Sequence, residues 1–204
     1  GTGKFTPLLV ATGAHVVTVE PIEAMRAKLA ATLPNVTALG STANAIPVPN
    51  GSVGAVVRAQ AFHWSATREA TADIHRVISP GGRLGLVWNW RDETLPWLQK
   101  LSALILPYQG DTPRFNSGRW REVFPAPGFG DLEETRLPHV HTGPAEQVII
   151  DRALSVSFIA ALPKDEQAAL VARIRKLIDS EPDLAGKPQV SFPYATLAYA
   201  ATRL

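Results

Sequence analysis

The sequence predicts an α/β fold, a doubly wound and mostly parallel sheet with an antiparallel C-terminal edge. Three observations carry that prediction. Segments rich in β-branched residues alternate with helix-period segments through the first half. Strands that alternate with helices pair in parallel, because right-handed crossovers put helices on both faces of a sheet. A chain of 204 residues, 46% hydrophobic, can bury one sizeable core.

Gly1-Thr2-Gly3 leads into Lys4 to Ala11, where Phe5, Leu8 and Leu9 share a helical face and Gly13 supplies a stop. His15 to Glu20 (HVVTVE) is a strand. Pro21 suits the first turn of a helix whose Ile22, Met25 and Leu29 recur at helical spacing down to Ala31. Val36 to Leu39 is a short strand, Gly40 to Gly51 is irregular, and Val53 to Ala59 is a buried strand. Thr67 to Ile78 is a helix, and the turn Ser79-Pro80-Gly81-Gly82 leads into a strand over Arg83 to Trp90.

The second half is less regular. Leu95 to Leu106 is helical, and Pro107 to Phe129 is a proline-interrupted loop, expected as an insertion near the mouth of a site. Leu132 to His141 is a late strand, Ala145 to Ala161 a helix, and Lys164 to Ser180 an amphipathic helix. Gln189 to Phe192 and Leu197 to Arg203 are expected to close the sheet as an antiparallel pair around Pro193. The chain is expected to form one domain, with a cofactor-binding half over 1–93 and a substrate-side half over 94–204.

Composition narrows the function classes. Twenty Lys and Arg against 18 Asp and Glu leave a net charge of +2, which argues against a nucleic-acid partner. With no cysteine, disulfides, thiolate metal sites and a Cys nucleophile are excluded, and a cytoplasmic location is expected. No apolar run approaches the about 18 to 20 residues that a membrane span needs, so no membrane partner is expected.

Gly1-Thr2-Gly3 before a helix matches the tight turn on which nucleotide-binding α/β domains seat a ligand. A flexible terminus with two glycines is the plain alternative. Glu20 closes the following strand at the distance where a carboxylate accepts hydrogen bonds from two ribose hydroxyls. A dinucleotide site wants Gly or Ala at the position of Thr6, so the run Gly1-Thr2-Gly3-Lys4-Phe5-Thr6 disfavours NAD and suits a cofactor without phosphate. The three tyrosines also supply no Tyr-x-x-x-Lys pair for an oxidoreductase.

GTGKFT, VTVEP, TANAIPVPNGSVGAV, QAFHW, HRVISPGGRL and LVWNWRD occur here in an order that resembles the class I S-adenosylmethionine-dependent methyltransferases of the type 11 group, including proteins similar to trans-aconitate methyltransferases. The resemblance covers 1–93 and continues more weakly to the C-terminus. It implies a Rossmann-like fold, S-adenosyl-L-methionine as cofactor and methyl transfer to a small-molecule acceptor, with a carboxylate as one candidate. It also implies Gly1, Thr2 and Gly3 beside the methionine moiety, Glu20 and Pro21 at the ribose, and Ala43 and Asn44 at the adenine. Gln60, Ala61 and Phe62 fall near the transferable methyl group, and His63, Trp64 and Arg91 toward the acceptor.

Asn44, Asn50 and Gly54 stand where relatives usually carry acidic residues. Relatives also have a first strand directly before the glycine turn, and that strand is absent from this chain, so a truncated product is expected. A non-catalytic scaffold of the same fold is the alternative reading. Arg114, Arg119 and Arg121 are further candidates for an anionic acceptor, with solvated loop arginines as the plain reading. Trp88 and Trp90 share a strand face that is either pocket or core. His139 and His141 also share a face, but without nearby carboxylates they do not make a metal site.

Overall fold

The computed structural model describes residues 1–204. The chain forms two compact units. Unit 1 comprises Gly1–Val87, Arg114–Glu134 and Ala198–Leu204, and unit 2 comprises Trp88–Pro113 and Thr135–Leu197.

In unit 1, the helix α1 (Thr6–Val10) leads to β1 (Val17–Val19), then α2 (Glu23–Thr32) and β2 (Thr37–Leu39). β1 and β2 are parallel partners, Val17 opposite Thr37 and Val19 opposite Leu39, and form a separate two-stranded sheet. Only part of the expected apolar face of α2 is covered. Leu29 is buried, whereas Ile22 and Met25 are exposed.

β3 (Val53–Ala59) follows the irregular 40–51 stretch, and α3 (Arg68–Val77) begins where the Thr67 hydroxyl accepts from the Ala70 N–H at 3.2 Å. That cap satisfies an amide with no partner inside the helix. α3 buries Ala70, Thr71, Ile74 and Val77 at 3–4 residue spacing, as an amphipathic helix against a sheet does.

β4 (Ile78–Arg91) is longer than the sequence suggests, because Ser79–Gly82 lies within it rather than before it. Val53 faces Ile78, but Ala55 already faces Arg83. The extra residues on β4 are taken up as an irregularity in a parallel ladder, which a two-glycine run permits. Leu84 and Leu86 alternate inward along this strand.

A four-stranded sheet runs in the order β3-β4-β6-β5, with β5 at Glu133–Gly143 and β6 at Val190–Thr202. The expected break at Pro193 is absent, and β6 is one strand. Pro193 cannot donate, but its carbonyl accepts from the Asp92 N–H at 3.2 Å, so the ladder continues past it. Arg203 exchanges backbone bonds with Gly81 and Gly82, so residue numbers rise along β4 as they fall along β6. This is the antiparallel edge of an otherwise parallel α/β architecture.

In unit 2, α4 (Pro96–Ile105) and α7 (Lys164–Ser180) pack with the Phe192 region of β6. Trp97, Leu98, Leu101, Ile105, Leu170, Ile174 and Phe192 are buried together. The single helix expected over 145–161 is instead a π-helical turn at Glu146–Asp151, α5 (Arg152–Leu154) and α6 (Ser157–Ala160). The sequence VII at 148–150 explains this: three consecutive apolar residues are all buried, and the widened turn brings all three to the core side. No helix is long and apolar enough to cross a membrane.

Candidate functional site

The glycine turn has the geometry its sequence implies. Gly3 takes φ +80°, and a Cβ there would lie 2.9 Å from Leu29 Cγ, so both conformation and space demand glycine. Its carbonyl accepts from the Thr6 N–H at 3.1 Å, and Thr6 is buried at the start of α1. Thr2 is half-buried, and the space over Gly1 is open, with no atom within 4 Å of the point a Cβ would occupy.

Glu20 meets this turn. It is 9% exposed; one carboxylate oxygen accepts from the Ile22 N–H at 2.8 Å and the other from the Gly1 amino group. The Glu20 backbone is fixed as well, since its N–H donates to Leu39 O at 3.0 Å and its carbonyl accepts from Arg26 at 2.9 Å. Pro21 is exposed directly after it.

Ala43 and Asn44 lie on the 40–51 stretch that leaves β2, with Asn44 exposed and its Oδ1 accepting from the Thr42 hydroxyl at 2.6 Å. α3 holds this stretch by a network that periodicity does not reveal. Asp73 accepts from the Ile46 N–H at 2.6 Å and from Arg76 at 2.7 Å. Arg76 donates to Ile46 O, Val48 O and Asn50 Oδ1 at 2.7 to 2.9 Å. Burial pushes the Asp73 carboxyl up, but the bonds from Arg76 and Ile46 outweigh it and hold the group below its ordinary value. Asn50 thus has a structural partner where an acid was the expected residue. Gly54 has open space around it, and nothing in the structure explains the glycine.

At the carboxyl end of β3, Gln60 is the one non-glycine residue with positive φ, at 54°. Its N–H donates to Val87 O at 2.8 Å, which ties the strained position to β4. Side chains disfavour this conformation, and such residues cluster where a fold presents groups to ligands. A short 3₁₀ turn, Phe62–Trp64, follows.

Within that turn the residues separate by role. Ala61 and His63 are half-buried, and Trp64 is 52% exposed. Phe62 is fully buried, its ring 6.4 Å from Trp120 and 6.0 Å from Phe124. The expected cofactor contact of the Phe62 side chain is therefore corrected to a core role, because the aromatic cluster surrounds it. The same contacts revise the 107–129 loop: its Trp120 and Phe124 are packing residues of unit 1.

Two arginines converge on this turn. The Arg58 guanidinium lies 5.9 Å from the Phe62 ring centroid, half-buried on β3. Arg114 precedes Phe115, which stacks on Trp120 at 5.7 Å. Burial, then the charges of Arg114 and Arg58, push His63 down to about 4, so its imidazole is neutral at physiological pH. Arg58 was not apparent in the sequence, where a lone arginine in VGAVVRA gives no sign of its surroundings.

The other candidates have different partners. In unit 2, Arg91 donates to the Ser102 hydroxyl at 3.2 Å, which in turn donates to Glu93 at 2.6 Å. Arg121 stacks over Trp120 and Tyr199 at 4.7 Å each and donates to the Tyr199 hydroxyl and to Glu134. Arg119 is exposed, Trp88 is buried core, and His139 packs 5.8 Å from Tyr194.

A family model described as a methyltransferase domain matches residues 1–86. An uncharacterised methyltransferase-like protein of Schizosaccharomyces pombe is 37% identical over 204 residues, covering 100% of this chain and 79% of that protein. An uncharacterised methyltransferase of Mycobacterium tuberculosis is 38% identical over 202 residues, covering 99% and 80%. Among solved structures, a protein assigned to the type II methyltransferases of Anaeromyxobacter dehalogenans superposes with TM-score 0.67 at 23% identity, covering 100% of this chain and 85% of that one. The Haemonchus contortus phosphoethanolamine N-methyltransferase 2, in complex with S-adenosyl-L-methionine, gives 0.56 at 16% identity, covering 100% and 46%. The solved structures share the fold.

Proposed function

This chain belongs to the methyltransferase family, and we propose from that premise that it transfers the methyl group of S-adenosyl-L-methionine to a small-molecule acceptor. The observation that supports the reading is the buried Glu20 carboxylate at the end of β1, in a chain whose Gly3 holds a left-handed turn before α1. The residues fit the group: the buried Glu20 carboxylate is an acceptor for hydroxyls, and Gly3 holds a turn that leaves no room for a side chain.

In this reading Gly1, Thr2 and Gly3 bear the methionine moiety, Glu20 and Pro21 the ribose, and Ala43 and Asn44 the adenine. Gln60 and Ala61 serve the methyl end, and His63 and Trp64 the acceptor. The bound cofactor supplies an electrophilic methyl carbon. The protein's own part is to orient the acceptor behind that carbon and exclude water, and no covalent residue is needed.

A carboxylate is the acceptor class this site favours. A general base works best with a pKa near the working pH, and His63, pushed down to about 4, is a weak base there. A carboxylate needs no deprotonation, whereas a hydroxyl or ammonium does. The half-buried Arg114 beside His63 would hold an anion by charge-assisted bonds. A non-catalytic scaffold is the second reading, favoured by Asn44 and Gly54.

Calorimetric titration with S-adenosylhomocysteine, with NADH as control, tests the cofactor. Micromolar binding of the first alone is expected, and binding of NADH alone would overturn the reading. Turnover of a carboxylic-acid pool to methyl esters tests the acceptor. Cofactor binding without turnover on any acceptor would favour the scaffold.

A further inference from the structure

The positive φ of Gln60, 54°, persists only where the surroundings over-determine it, because a side chain disfavours that conformation. One anchor is the bond from its N–H to Val87 O at 2.8 Å. The other lies two residues on, where the Phe62 ring is fully buried and cannot move without opening the aromatic cluster around it. Gln60 and Ala61 are thus held from both ends.

The grip on Phe62 comes from residues far along the chain that belong to the same unit. Trp120 meets its ring edge-on at 6.4 Å and 81°, Phe124 lies at 6.0 Å, and Trp120 and Phe124 meet each other at 6.5 Å and 79°. Edge-to-face rings at these separations attract beyond the area they bury. Trp120 is itself fixed: it is 1% exposed, its indole N–H donates to Phe115 O at 3.1 Å, Phe115 stacks on it at 5.7 Å, and Tyr199 packs at 5.0 Å. An indole has a single donor, and here that donor is engaged by the Phe115 carbonyl. The influence of Trp120 on a ligand therefore passes through Phe62.

Resting on the cofactor reading above, which gives Gln60 and Ala61 the methyl end, we propose that Trp120 is a positioning residue. Through Phe62 it holds Gln60 and Ala61 in the backbone conformation that receives the sulfonium and its methyl group. The adenosine end, given to Glu20, Pro21, Ala43 and Asn44, has supports of its own: the Glu20 N–H is bonded to Leu39 O, and Asp73 holds the Ile46 N–H. The cofactor is thereby divided into an end that depends on Trp120 and an end that does not.

The experiment titrates the wild-type chain and Trp120→Leu calorimetrically with S-adenosylmethionine and with adenosine, and follows amide hydrogen exchange at Gln60 and Glu20. In Trp120→Leu, S-adenosylmethionine should bind about five- to tenfold more weakly, the scale of a lost aromatic pair, while adenosine stays within about twofold. The Gln60 amide should exchange about tenfold faster, and the Glu20 amide at its wild-type rate. Trp120→Phe, which keeps a ring but loses the bond to Phe115 O, should recover most of both effects. Where Trp120→Leu does not fold, Phe124→Leu opens the same cluster at its third ring and takes its place.

Equal weakening of both ligands, with equal acceleration of both amides, overturns the proposal, since that is the mark of a structural role alone. Unchanged affinity for S-adenosylmethionine beside a faster Gln60 amide also overturns it, because the turn would then not need to be held. A Gln60 amide that keeps its wild-type rate overturns it as well. If the wild type binds neither ligand, the cofactor reading itself fails, a result seen before any variant is made.

Discussion

In unit 2 the charged groups pair with one another, Lys100 with Glu181 and Arg175 with Glu146 at 2.6 Å each, and Arg91 with Glu93 through Ser102, around an apolar cluster from α4, α7 and β6. Unit 1 draws charge inward. Glu20 is buried, Arg58 and His63 are half-buried, and Gln60 holds a backbone conformation that side chains disfavour. The first arrangement is what stability alone favours. The second costs stability and is the kind of arrangement that recurs where ligands bind, which accords with the cofactor site proposed for unit 1.

The comparison is most severely tested by Ile174→Ala, which empties a fully buried position in α7. A loss of about 2–5 kcal/mol is expected in urea unfolding, with S-adenosylhomocysteine affinity unchanged in the folded protein. Affinity that falls in step with stability would erase the distinction between the units. Glu20→Ala should do the reverse. It removes charge-assisted bonds worth about 1.5–3 kcal/mol each from the cofactor, read as a ten- to hundredfold rise in calorimetric Kd.

Gly128→Ala sharpens the picture inside unit 1. Gly128 has φ +79°, and an added Cβ would lie 2.3 Å from His75 Nε2. A stability loss of about 1–3 kcal/mol is expected by thermal unfolding, with no change in cofactor Kd. A neutral result would mean that His75 moves freely there.

The smallest effect is a pH dependence. Folded His63 stays neutral down to about 4, whereas the unfolded chain takes up its proton near the ordinary 6.5. Unfolding therefore binds a proton between these values, and stability falls as pH drops from 6.5 to 4. The slope is shallow because His63 is half exposed. His63→Gln should flatten this part of the stability profile, and histidine NMR should show one imidazole that titrates near 4. An unchanged profile together with ordinary titration would remove the basis for a base-free acceptor.

Much of the first half was legible because its elements are local. β3 lies at Val53–Ala59 as its apolar run implies, although none of its residues is fully buried as expected, and in the second half α7 spans the Lys164–Ser180 that its apolar period marks out. Elements that depend on partners read less well. Ser79–Gly82 has the composition of a turn yet continues β4, because β3 on one side and Arg203 on the other supply its hydrogen bonds. Pro193 reads as a break yet lies within β6.

Residue order by itself determined the alternating α/β plan, the Gly1–Gly3 turn and the acid at the end of β1. These follow from short-range rules: backbone freedom, side-chain period and spacing along one strand–helix unit. Only the tertiary structure decided that Phe62 belongs to an aromatic core, that Asp73 and Arg76 anchor the 46–50 stretch, and that the Arg58 guanidinium lies over the Phe62 ring. Burial and electrostatic interaction depend on distance in space, and residues far apart in the chain acquire those distances only when it folds.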